Sequence, residues 1–135
     1  MERNIKRGDM YYADLTPGGV GSEQRGVRPI LIIQNDAGNR HSNTVIAAVI
    51  TGRTQSKAKL PTHYPIKRQQ GLDRNSLVLL EQLRTIDKTR LRGFIGALDG
   101  RDMRGINAAL AVSVGLFAAQ PKPGDQKTTN TTEET

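Results

Sequence analysis

Short apolar runs follow one another along the first hundred or so positions with no helical segment between them, and a turn closes each run. This constrains the fold more than any other property of the chain. A parallel α/β architecture needs a helix between successive strands. Short strands broken by turns about every ten residues instead predict a small β-barrel or sandwich. Asp9–Leu15 alternates in polarity and stops at Thr16-Pro17-Gly18-Gly19. Pro29–Gln34 is nearly all apolar, as expected of a central strand covered on both faces. Asn35–Asn39 reads as a turn, Thr44–Thr51 as a second buried strand and Leu60–Ile66 as a more exposed third. Ser76–Ile86 is a long fourth segment, Asp87–Leu91 one helical turn capped by Asp87, and Gly93–Leu98 a last short strand.

Helical periodicity begins only after these strands. Met103, Ile106, Leu110, Val114 and Phe117 recur at steps of three and four, predicting a helix over 101–117 with Asp99 as N-cap. Its second half is apolar nearly all round, so it is either deeply buried or meets another chain. Residues 1–118 thus form one mainly β domain with a C-terminal helix. Residues 119–135 are polar and low in complexity, the composition of a disordered tail.

The net charge is +7. Residues 1–118 hold 18 Lys and Arg against 10 Asp and Glu, so the basic character belongs to the domain and not to the tail. A basic small domain without a membrane-length apolar stretch suits an acidic partner, most often nucleic acid. The chain lacks cysteine, which removes disulfides and thiolate metal sites. His41 and His63 are too few and too far apart to suggest a zinc site. The charged N-terminus has no apolar stretch after it, and the expected location is cytoplasmic.

Four segments have side chains suited to an anion. Gly21–Pro29 carries Glu23, Gln24, Arg25 and Arg28 in a glycine-flanked loop feeding the Pro29–Gln34 strand. Arg28 at that strand's mouth can grip a phosphate or pair with Glu23. Thr51 ends the 44–51 strand and can hydrogen-bond a phosphate oxygen, or simply fill a β position. The next segment bears Arg53, Lys57 and Lys59 with no carboxylate, as a cationic flap on a nucleic-acid backbone would. Gln82 and Arg84 share parity on the fourth strand, with donors for a base edge or a phosphate, while Glu81 points the other way. Only five aromatic residues argue against a broad stacking platform but not against one or two stacked bases.

Arg7–Leu15, Gly21–Gln24, Gly26–Pro29, Ile32–Asp36, Lys59–His63 and Leu79–Lys88, in this order, resemble the MazF/PemK toxins of type II toxin–antitoxin systems, closest to the Gram-positive form. The resemblance spans about residues 6–118. It implies a small SH3-like β-barrel of the CcdB/PemK kind with a C-terminal helix, forming a homodimer. It implies a sequence-specific, metal-independent endoribonuclease on single-stranded mRNA, needing no cofactor. It also implies a MazE-like antitoxin partner whose acidic segment covers the RNA groove.

The catalytic pair implied by the family is an arginine in Gly-Val-Arg-Pro and a threonine at the end of the following strand, which fall on Arg28 and Thr51. Glu23 is the nearest carboxylate in sequence, as a base or as the group that orients Arg28. His63 could serve as a general acid, but the match places it on a strand away from the pair. Arg25 stands where close relatives carry glycine or a small residue, and the tail is longer than is typical. Two other readings share these residues: a non-enzymatic poison of the same fold, such as a gyrase binder, and a nucleic-acid-binding module without turnover.

Overall fold

A computed structural model describes residues 4–17, 26–52, 60–69 and 71–118. The elements are β1 (Asp9–Asp14), β2 (Val27–Ile32), α1 (Asp36–His41), β3 (Thr44–Gly52), β4 (His63–Ile66) and β5 (Ser76–Asp87). A 3-10 turn (Lys88–Arg90), β6 (Leu91–Ala97) and α2 (Gly100–Ser113) follow. The strands form one antiparallel sheet in the order β4-β5-β3-β2-β1-β6. β4 and β6 do not pair, so the barrel expected from the strand pattern is an open, barrel-like sheet.

Two apolar clusters lie on opposite faces of the sheet, as strand alternation requires. Met10, Leu31, Ala48, Ile50, Val78 and Leu80 pack under Ile106 and Ala109 of α2. Tyr11, Ala13, Leu15, Ile30, Ile32, Val45, Ala47, Val49 and Ile86 form the second cluster, with Ile5 and Leu91 against it. Ile30, Leu31 and Ile32 are all fully buried, so β2 is covered on both faces as its apolar run predicts.

The Asn35–Asn39 segment continues into α1 and is not the expected turn. Asn35 caps it, accepting from the Gly38 N–H at 2.8 Å. Buried Asn39 donates to the Gln34 carbonyl, and the Gln34 amide donates to Asn39 and to the Thr44 carbonyl. These bonds replace the ladder lost where β2 ends. The Arg7 backbone N–H donates to Asp36, which holds that carboxyl below its ordinary value, with Asn39 assisting. The Asp87 cap is present, accepting from the Thr89 N–H at 2.9 Å.

The C-terminal helix stops at Ser113, short of the expected Phe117. Gly115 takes φ +83°, its N–H donates to the Val112 carbonyl, and Leu116 N–H donates to Ala111. That is a Schellman stop, which a residue without Cβ favours. The predicted stripe therefore ends at Leu110. Val114 and Phe117 are 52% and 66% exposed, beside Leu116 at 75%. The later part of the helix is not deeply buried.

Helix α2 is fixed by two contacts. Tyr64 on β4 donates to Asp102 at 2.8 Å, and Ser113 Oγ donates to the Leu80 carbonyl at 2.6 Å. A Cβ at Gly105 would stand 2.0 Å from Tyr64 Cε1. Alanine raises helix propensity by about 1 kcal/mol over glycine, but overpacking costs about 1–3 kcal/mol. Gly105→Ala is therefore expected to lower stability by about 1 kcal/mol, opposite to the propensity effect, in chemical denaturation. Burial, then the Asp102 bond, pushes the Tyr64 phenol up to about 12. A folded pKa above the unfolded value makes stability full below about pH 10 and falling between about 10 and 12. Denaturation across that window should show a slope that Tyr64→Phe reduces.

Candidate functional site

The β2–β3 ladder pairs Ile30 with Val49, Leu31 with Ala48 and Ile32 with Ala47. Continued by two residues, that register sets Arg28 at the position facing Thr51. Independent ladders fix the outer neighbours: Arg28 pairs with Ala13 of β1, and Thr51 with Leu77 of β5. Both residues are half-buried. By alternation they continue the face that holds Ile30 and Val49, so a cation and a hydroxyl extend the second apolar cluster to the sheet's end.

Arg84 lies on the same face, opposite Ala47. Its guanidinium donates to the Pro17 carbonyl at 2.8 Å and to Leu15 at 3.3 Å. Arg84 thus holds the start of the segment that returns to Arg28. Leu15 N–H donates to the Gly26 carbonyl at 2.8 Å and closes that segment's neck, where Gly26 takes φ +82°. Beside Arg84, the β3–β5 register slips between Ala48 and Val49, whose partners are Leu83 and Leu79. Gln82 falls in the slipped stretch, and its carboxamide oxygen is buried with no hydrogen-bond partner among the described residues. β4 pairs with Ser76–Leu79 of β5, so Gln82 and Arg84 lie beyond the stretch that β4 covers.

Arg28, Thr51 and Arg84 thus share one face of the sheet, Arg84 bonded to the segment that leads on from Leu15, with Gln82 in the slipped stretch beside it. Glu23, Gln24, Arg25, Arg53, Lys57 and Lys59 lie outside the described residues, as does the 119–135 tail. Glu81 turns away, accepting from Thr62 at 2.9 Å and pairing with His63 at 3.0 Å. β4, which carries His63, is separated from β2 by β5 and β3. Among the described residues no group of three or more His, Asp or Glu could hold a metal ion. No described helix is long and apolar enough to cross a membrane.

One contributor escapes the sequence reading. The β4–β5 connection runs Lys67-Arg68-Gln69-Gln70-Gly71-Leu72-Asp73-Arg74, three cations to one carboxylate. It ends at the same edge of the sheet as Thr51, because Gly52 pairs with Ser76. Arg74 lies over Gly52, where an added Cβ would stand 2.6 Å from Arg74 Cδ. The cation excess was the available signal; its placement beside Thr51 depends on strand pairing.

Residues 6–114 match the family of PemK-like, MazF-like toxins of type II toxin–antitoxin systems. Endoribonuclease EndoA of Bacillus subtilis (strain 168) is 56% identical over 114 residues, 84% of this chain and 97% of that protein. A solved endoribonuclease from a mycobacterial species superposes with a TM-score of 0.65 at 27% identity, covering 84% of this chain and 93% of that one. A mycobacterial endoribonuclease solved with its cognate antitoxin gives a TM-score of 0.69 at 29% identity, covering 84% and 97%. With most of its length matched in sequence and the same fold beneath it, the chain belongs to the PemK-like, MazF-like family of type II toxins.

Proposed function

We propose that the chain is the toxin of a type II toxin–antitoxin system, a sequence-specific endoribonuclease that cuts single-stranded mRNA in the cytoplasm. The observation that carries this reading is the β2–β3 ladder ending at Ile30 and Val49, with Arg28 and Thr51 each two residues beyond it on the same face. It is supported by 56% identity to an endoribonuclease. RNA supplies its own nucleophile. The 2′-oxygen attacks the adjacent phosphorus, the P–O5′ bond breaks, and the products carry a 2′,3′-cyclic phosphate and a 5′-OH.

Arg28 stabilises the charge that builds on the phosphorane oxygens. The Thr51 hydroxyl donates to the same phosphate and fixes its orientation for in-line attack. An arginine stays protonated at neutral pH, so Arg28 is an electrostatic group and not a base. Arg84 anchors the Leu15 and Pro17 carbonyls, and Arg84, Gln82, Glu23, Gln24 and Arg25 contribute RNA contacts. Arg53, Lys57 and Lys59 bind the RNA backbone. The reaction as written needs no metal ion.

The partner is a cognate antitoxin, as in the mycobacterial complex. A second copy of the chain completes a homodimer. The exposed Val114, Leu116 and Phe117 beyond α2 support an apolar contact of that kind.

Purified protein should cut mixed RNA in EDTA, and sequencing of 5′-OH ends should report one recurring motif. Arg28→Ala is expected to slow cutting about 100- to 1,000-fold with folding retained, and Arg28→Lys to recover little of it. Unchanged cutting by Arg28→Ala or Thr51→Ala rejects the catalytic pair; trapping of gyrase on DNA without RNA cleavage rejects the reaction. Gln82→Met removes a buried unpaired acceptor, so thermal melts should show unchanged or raised stability while RNA affinity falls.

A further inference from the structure

We propose that the cleft between the exposed Tyr12 ring and the β4–β5 turn is a base pocket for a nucleotide flanking the scissile phosphate, a proposal that rests on the RNA reading above. The cleft, of about 430 Å³, is lined by Tyr12, Arg68, Gln69, Gly71, Leu72 and Asp73. That volume falls in the range of small-ligand pockets.

The wall opposite Tyr12 is preformed. Gln69 and Leu72 exchange backbone hydrogen bonds at 3.1 and 2.8 Å, closing a tight turn. Gly71 takes φ +90°, and a Cβ there would stand 2.5 Å from the Ile95 carbonyl oxygen of β6. Leu72 is 4% exposed and anchors the turn in the core. The turn is thereby seated against the sheet.

Tyr12 itself is 40% exposed on a strand whose other members are mostly buried. A ring held on a strand with one open face is a stacking surface for a base. The lining includes Arg68, Gln69 and Asp73, residue types that can read a base edge. The Gln69 amide nitrogen already donates to the Lys67 carbonyl at 3.0 Å, which fixes the side chain's direction.

Tyr12 pairs with Pro29, the residue after Arg28. Alternation points Arg28 to one face of the sheet and Tyr12 to the other. An RNA strand crossing the sheet end can therefore present its phosphate to Arg28 and Thr51 while a neighbouring base swings round onto Tyr12. Lys67, Arg68 and Arg74 give the β4–β5 connection three positive charges. A bound acidic peptide would set like charge against Asp73, whereas an amino or imino group of a base donates to it. That favours RNA as the occupant.

The chain has three tyrosines and no tryptophan, so tyrosine fluorescence reads this site directly. Tyr11 is 6% exposed and the Tyr64 hydroxyl is bonded to Asp102, which leaves Tyr12 as the ring open to stacking. The probe is a pool of short 2′-O-methyl RNA oligonucleotides, which bind without being cut. Binding should give saturable quenching in the full chain, and Tyr12→Phe should bind equally with the quenching reduced. Tyr12→Ala should bind roughly tenfold more weakly by anisotropy of labelled RNA, with an unchanged thermal melt. Once the cut motif is known, an abasic substitution at one flanking position should abolish the quenching.

RNA binding without quenching overturns the pocket, as does quenching by an acidic peptide but not by RNA. Quenching by RNA in a protein that cuts none leaves the pocket standing and refutes the ribonuclease reading. Absence of RNA binding refutes both.

Discussion

The register between β2 and β3 is the constraint on which the rest of the structure depends. Ile30, Leu31 and Ile32 face Val49, Ala48 and Ala47, and every one of these side chains is fully buried. A slip of one residue would exchange the two faces along the whole strand and turn the packed side chains out of their clusters. The apolar cores on both faces therefore fix the pairing. The pairing in turn fixes which polar residues meet where the apolar pattern stops. Arg28 and Thr51 come to the same end of the same face because the residues behind them cannot shift.

The remaining elements bring loops to that edge. The bond from Leu15 to Gly26 closes the neck of the β1–β2 connection, and Arg84 reaches across the sheet to the carbonyls at its start. The β4–β5 connection arrives from the other side and lays Arg74 over Gly52. Helix α2 contributes no functional side chain to this end. It holds β4 and the slipped stretch of β5 through Tyr64–Asp102 and Ser113–Leu80, which stabilises the strand that carries Gln82 and Arg84.

Much of this was legible in the chain. The Pro29–Gln34 run announced a strand buried on both faces, since apolar residues at consecutive positions leave no side for water. Asp99 and Asp87 announced their caps because a short carboxylate has few better partners than free N–H groups. Gly-Val-Arg-Pro and the later threonine suggest Arg28 and Thr51 as the pair through family resemblance alone. Other features depend on contacts distant in sequence. Asn39 reads as a turn former until its buried bonds to Gln34 are seen. The slip in β5 falls just past Leu79, where pairing with β4 ends, and alternation does not encode it. Gly115 could have been read as a helix stop, but the apolar spacing of Val114 and Phe117 outweighed it. Arg74, in the β4–β5 connection, and Tyr12, on β1, meet this end of the sheet only through the sheet's order.

The central claim is that Arg28 and Thr51, each two residues past the last β2–β3 pair on one face, act as one unit on one phosphate. A double-mutant cycle on the cleavage rate tests this most directly, with Arg28→Ala, Thr51→Ala and the two combined. Groups that act together on one transition state give strongly non-additive losses. The account predicts that the combined variant is scarcely slower than the more damaged single variant, with all three proteins folded. Losses that multiply independently would contradict it, since each residue would then act without the other.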